Sequence, residues 1–223
     1  FAKHAWGNTT LEDLLVELEA ASGRKLDSWV NTWLQTAGVN TLRPALELEG
    51  DVYKSITIIQ ETPLVPADSK ELRPHRLAVG LYDIKGDSLQ LRKSVELDVA
   101  GAATVVADLA GEKVADLLLI NDRDLSYAKL RFDDRSIATL KTHLGKFDDA
   151  LARALCWASI WDMHRDAEIS TSDFLEIALN GLAGETDDAI VNIVLMQLNT
   201  SVEAYAKDSN RAAYREKLAN GLW

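Results

Sequence analysis

Apolar and polar positions alternate with two different periods along this chain, and the change of period divides it. Near the start, Leu11, Leu14, Leu15 and Leu18 recur at i, i+3, i+4 and i+7, one face of a helix. Thr9-Thr10-Leu11-Glu12 before them reads as a capping box with Thr9 and Glu12 as its reciprocal partners, and Gly23 as a stop. A second helix, capped by Asp27 and ended by Gly38, places Trp29, Val30, Trp33 and Leu34 on one side. Two short helices this apolar are expected to pack on a larger body.

The period then falls to two. Leu46 and Leu48 alternate with Glu47 and Glu49, and Gly50-Asp51 turns the chain into Val52 to Ile59. Leu77, Val79 and Leu81 alternate, Lys85-Gly86-Asp87 turns, and Leu89, Leu91, Val95 and Leu97 follow. Val114 to Ile120 is a continuous apolar run, the pattern of a central strand, and Ala128, Leu130 and Phe132 alternate again. Short strands with Gly/Asp turns predict an antiparallel β-sandwich.

Beyond residue 135 the helical period returns. Ile137, Leu140 and Leu144 follow Asp133-Asp134, and Leu151, Leu155, Ala158 and Trp161 follow Asp148-Asp149. Ser170 to Asp173 precedes Phe174, Ile177 and Ala178; Thr186-Asp187-Asp188 precedes Ile190, Ile193, Val194 and Met196; a last helix carries Tyr214 and Leu218. Acidic residues sit where the helix dipole favours them. Short loops between these helices predict antiparallel hairpins stacked as an α-solenoid. The expected fold class is α+β: two helices (1–38), an antiparallel β-sandwich (39–135) and a helical solenoid (136–223).

Composition sharpens these boundaries. All four prolines lie from Pro44 to Pro74, and all six tryptophans lie outside 44–135. The net charge of −11 is spread over the segments as −2, −4 and −5. No segment offers the basic surface that nucleic acid requires, and an anionic membrane would repel all three. No run of 18 apolar residues exists to span a bilayer. The single cysteine, Cys156, cannot form an internal disulfide, which fits a reducing, cytoplasmic setting. The chain opens Phe1-Ala2-Lys3-His4, and its only methionines are Met163 and Met196, so it is expected to begin inside a longer protein.

The residues that carry chemistry are sparse. His4, His75, His143 and His164 include no pair three or four apart, so no H-E-x-x-H exists. Asp162, His164, Asp166 and Glu168 come nearest to a ligand cluster. Positions i and i+2 on a helix diverge, so a solvated helix end is the expected reading. Cys156 lies in an apolar helical stretch and reads as inert packing. No G-x-S-x-G elbow and no phosphate loop occur; Gly181-Leu182-Ala183-Gly184 reads as a helix break. The pairs Asp133-Asp134 and Asp187-Asp188 fit caps better than catalytic carboxylates. Trp157 and Trp161 fit core better than a ligand groove. No catalytic, cofactor-binding or metal-ligating residue is assigned.

Several strings nevertheless resemble one family, in order. His4-Ala5-Trp6-Gly7-Asn8-Thr9-Thr10-Leu11-Glu12-Asp13-Leu14 is similar to the K-[YH]-x-[YW]-G-N-[AT]-T-x-x-D-L stretch late in the catalytic domain of zinc aminopeptidases of the aminopeptidase N family. Trp33 to Leu42 resembles the family's passage into its β-sandwich. Asn121-Asp122 with Tyr127 to Ser136 resembles its junction into the C-terminal helical domain. Arg153 to Met163 with Asp166-Ala167-Glu168 is similar to the R-A-x-x-W-x-x-x-W-D-M…D-A-E pattern of the actinobacterial branch. The resemblance implies a C-terminal fragment of a zinc exopeptidase that releases N-terminal residues from peptides. The family's G-x-M-E-N, its H-E-x-x-H with a downstream glutamate, and its catalytic tyrosine motif are absent, and Tyr53, Tyr82 and Tyr127 do not match the last. Zinc is therefore expected in the parent and not here. The implied partners are peptides, the rest of the catalytic domain, and further copies of the fragment through bare faces at Trp29/Trp33 and Leu218/Trp223. A standalone interaction module and a catalytically inactive paralogue remain open alternatives.

Overall fold

The computed structural model describes residues 2–222. Helix α1 (Leu11–Ser22) and helix α2 (Asp27–Leu34) come first. The capping box of α1 is one residue later than expected: Thr10 accepts from the Asp13 amide, and Asp13 accepts from the Thr10 amide at 2.9 Å. Two adjacent Thr-x-x-acid boxes exist, and the one that makes Leu11 the first helical residue is used. Gly23, with φ +68°, ends α1 in the left-handed region that glycine enters without strain. Asp27 does not cap α2. It is already the first helical residue, and the Leu26 amide donates to Glu19 Oε1 at 2.8 Å.

Seven strands follow, all between residues 41 and 130: β1 (Thr41–Glu49), β2 (Val52–Glu61), β3 (His75–Lys85), β4 (Ser88–Val99), β5 (Ala103–Val105), β6 (Leu117–Ile120) and β7 (Lys129–Leu130). They form two sheets, ordered β5-β2-β1-β7 and β4-β3-β6. The pairings are antiparallel except β1 with β7, which run parallel through Thr41 and Leu42 against Lys129 and Leu130. The expected hairpins at Gly50-Asp51 and Gly86-Asp87 are present.

Strand β6 corrects the expectation of a central strand. It pairs with β3 alone, at the sheet's edge. Its apolar run reflects burial on both faces. Leu118 and Ile120 enter the sandwich core with Leu42, Ile56, Ile58, Leu77 and Val79. Leu117 and Leu119 enter a second core shared with the helices. Burying each such side chain contributes about 1.5–3 kcal/mol. The Leu118 amide donates to Ser136 Oγ at 3.0 Å, so the following helix satisfies a donor that the missing neighbour strand would have taken.

That helix is α3 (Asp134–His143), followed by α4 (Ala150–Arg165), α5 (Thr171–Leu182), α6 (Asp188–Thr200) and α7 (Asp208–Gly221). Asp133, Asp149, Ser170 and Asp187 cap α3 to α6 by accepting from amides of the first turn. Helix α5 is central and touches α3, α4, α6 and α7. Gly145 lies against its end so closely that a Cβ there would meet the Gly181 carbonyl at 2.4 Å.

The two faces expected to be bare differ. Helix α1 buries no residue and exposes Leu11, Leu14, Val16 and Leu18. Leu218 is not bare: it packs with Tyr214 against the helical core. Trp33 is half-buried, with its ring edge-on to His75 at 5.3 Å, while Trp29 remains exposed. Trp223 lies outside the described residues.

Candidate functional site

The four histidines stay apart in space as well as in sequence. His75 is buried, with Nδ1 2.6 Å from Ser126 Oγ and Nε2 2.9 Å from Gln60 Oε1. His164 is buried in α4, with Nε2 2.7 Å from Ser201 Oγ and Nδ1 3.3 Å from the Ile169 carbonyl. His143 Nδ1 meets Thr142 Oγ1, and His4 Nε2 lies 3.8 Å from Asp13. Among the described residues no three His, Cys, Asp or Glu side chains converge as a metal site. With both ring nitrogens of the two buried histidines engaged, these donors do not fit a zinc centre.

The Ser201–His164 pair has the spacing of a nucleophile and its base, and nothing in the sequence pattern pointed to Ser201. Its surroundings rule out that chemistry. Ser201 has no exposed surface, and His164 stacks on Phe174 at 4.8 Å with Trp161 and Tyr205 around it. A substrate carbonyl cannot reach the hydroxyl. The pair instead fastens the π-helical turn Ser201–Tyr205 after α6 to α4. Cys156 is fully buried, and burial pushes its thiol well above the ordinary value, so it is inert. Trp157 is core and donates from Nε1 to Glu185 at 2.8 Å.

The acidic run after α4 is the principal correction. It is not a solvated helix end. Helix α4 stops at Arg165, and Ala167 adopts φ +61°, turning the chain so that Asp166 and Glu168 face the same strands. Arg131, buried beside β7, donates to both: Nε meets Glu168 Oε1 at 2.5 Å and Nη2 meets Asp166. Lys129 Nζ reaches Asp166 at 2.7 Å, and Arg43 of β1 reaches Glu168 at 2.9 Å and Glu61 at 2.8 Å. Burial pushes both carboxyls upward, but these cations overcome it and hold Asp166 and Glu168 below their ordinary range. Three cations and three carboxylates thus join sandwich to helices.

A second buried group sits at the Asn121-Asp122 string. Asn121, at φ +61°, clamps the loop through Ser126, donating to its carbonyl at 2.7 Å and accepting from its amide at 3.1 Å. Asp122 accepts from Tyr82 and, at 3.2 Å, from Ser94; burial raises its carboxyl. Residue 80 must be glycine there, since a Cβ would lie 2.7 Å from the Asp122 carboxyl. A cleft of about 720 Å³ lies between Trp29 and Trp33 on one side and Arg76, Asp98 and Tyr127 on the other. Arg76 is paired with Asp98 and Glu96, and His75 in its lining is bonded through both ring nitrogens, Nδ1 to Ser126 Oγ and Nε2 to Gln60 Oε1. In both groups polar residues lock elements together.

The sequence is 48% identical over 218 residues, 96% of the chain, to a protein named Aminopeptidase N from Streptomyces lividans. The chain belongs to the aminopeptidase N family. It spans about a quarter of that relative's length (25%). A family model described as the ERAP1-like C-terminal domain matches residues 117–223, from β6 through the last helix. In this chain the strings that carried the resemblance have structural duties. Asn121-Asp122 ties β6 to β3 and β4, Arg131 and Asp166-Ala167-Glu168 form the ion network, and Trp157 and Met163 fill the helical core.

Proposed function

We propose that the chain is a non-catalytic framework segment of a zinc-dependent aminopeptidase that removes N-terminal residues from peptides in the cytoplasm. The observation that carries this reading is the 48% identity over nearly the whole chain to a quarter of an aminopeptidase N. The metal, when bound in the parent, supplies Lewis-acid activation of water and of the scissile carbonyl. No donor set described above fits it, so the site is assigned to residues of the parent outside this chain. The segment's own work is positional. The exposed Leu11, Leu14 and Leu18 of α1 present an apolar stripe for the remainder of the catalytic body, and the ion network sets the helices against the sandwich.

Purified 1–223 is expected to hold no stoichiometric zinc and to leave aminoacyl chromogenic substrates uncut. The parent with its upstream sequence is expected to cut them and to lose activity on chelation. One equivalent of tightly held zinc in 1–223, with chelator-sensitive hydrolysis, would overturn the assignment.

The uncovered stripe also gives the isolated segment a surface for pairing with other copies. Sedimentation is expected to show concentration-dependent association that Leu14→Ser weakens. A chain that stays monomeric at high concentration, unaltered by the substitution, removes this part of the proposal.

A further inference from the structure

The helix pair buries little of itself. Val30 is the only buried residue of α1 and α2. Below the end of α2 lies the guanidinium of Arg73, in the segment that leads into β3, and this side chain is itself buried. Its Nε donates to the Thr32 carbonyl at 2.9 Å. Nη2 donates to Thr36 Oγ1 at 2.7 Å and to the carbonyls of Thr36 and Ala37 at 3.3 and 3.4 Å. Nη1 donates to Asn40 Oδ1 at 3.1 Å, and the guanidinium carbon sits 5.6 Å from the centre of the Trp33 ring. Asn40 in turn is rooted in the sandwich, donating to the carbonyls of Glu61 and Glu71.

Every acceptor of this buried cation is neutral. What stabilises its charge is the negative end of α2 and the face of Trp33. Both exist for Arg73 only while α2 is docked, and the terminal carbonyls of α2 in turn depend on Arg73. Helix α1 follows α2, because Glu19 near its end accepts from the Leu26 amide and from Lys25 Nζ, both at 2.8 Å.

We propose that Arg73 is a latch that fixes the α1–α2 pair to the sandwich, and that its release frees the pair to swing while the sandwich stays folded. The inference goes beyond the framework role. The composition shift near residue 38 separates the helix pair from the sandwich, whereas the latch makes α2 mechanically part of it. Whatever docks on the apolar stripe of α1 is then oriented on the sandwich by this one guanidinium.

Amide exchange on 1–223 tests it, with Arg73→Met and Thr36→Val compared to the parent sequence. Arg73→Met is expected to speed exchange of the Val30–Trp33 amides at least tenfold and to leave those of β2, β3 and β4 unchanged. Thr36→Val keeps the buried arginine but removes one acceptor together with the bond from the Thr36 hydroxyl to the Thr32 carbonyl, and is expected to give a smaller rise at the same amides. Should Arg73→Met fail to fold, Arg73→Lys, which keeps the charge but not the planar fork, decides instead. Unchanged α2 rates overturn the latch. So does a rise shared equally by α2 and the strands, since the residue would then hold the sandwich itself.

Discussion

Arg131→Met is expected to destabilise the chain by about 3 kcal/mol in urea unfolding. The Arg131 side chain is 1% exposed, and it bridges two carboxylates that come from a turn 35 and 37 residues away. Deleting one partner of a buried ion pair costs about 3–5 kcal/mol, because the other charge is left without compensation. Two features place this case at the low end. Asp166 and Glu168 are 17% and 28% exposed, and each keeps a second cation, Lys129 or Arg43. Arg131→Lys should recover only part of the loss, since one ammonium cannot reproduce the planar fork that serves both carboxylates and the Leu130 carbonyl at 3.1 Å. A loss below about 1 kcal/mol for Arg131→Met would class the network with exposed ion pairs, which contribute little. The contrast with Lys3–Glu17, where both side chains are more than half exposed, supplies an internal control expected to cost almost nothing.

How much of this was legible in the sequence depends on how local each feature is. Helix caps were readable at Asp133, Asp149, Ser170 and Asp187, because a cap needs only its own first turn. At Thr9 and Thr10 two equivalent boxes stood side by side, and local pattern could not choose between them. The apolar run ending in Ile120 was readable as a buried strand but not as an edge strand. Burial on both faces gives the same letters whether the cover is a neighbouring strand or, as here, helix α3. The ion network was misread for a specific reason. Positions i and i+2 diverge only on a continuing helix, and the left-handed Ala167 turns Asp166 and Glu168 to one side. Their partners, Arg43 in strand β1 and Arg131 just after β7, are 125 and 37 residues distant. The Arg73 latch had no signature at all, since most of its acceptors are main-chain carbonyls.

Mild acid is expected to weaken the fold through His75 before Asp166 and Glu168 are protonated. The ring is 3% exposed, and it bridges strand β2 at Gln60 to the loop at Ser126. Gln60 Oε1 can only accept, so Nε2 carries the proton and Nδ1 accepts from the Ser126 hydroxyl; the bridge is that of a neutral imidazole. Burial, and then the charge of Arg73, pull its pKa down from 6.5 to about 4. Between those values the unfolded chain binds a proton that the folded chain refuses. The stability due to this difference is therefore complete above pH 6.5 and is lost as the pH falls toward 4, by about 2 kcal/mol at pH 5. His164 is lowered by burial and adds a loss of the same sign. Asp166 and Glu168 are also held low, so their contribution disappears at still lower pH, beneath the ordinary carboxylate range, and the two windows separate. His75→Gln keeps a neutral side chain that can donate and accept but does not titrate. Urea unfolding at a series of pH values should show the parent losing stability between pH 6.5 and 5, and His75→Gln losing much less over the same span. An equal slope in both proteins would place the acid sensitivity elsewhere and remove His75 as its source.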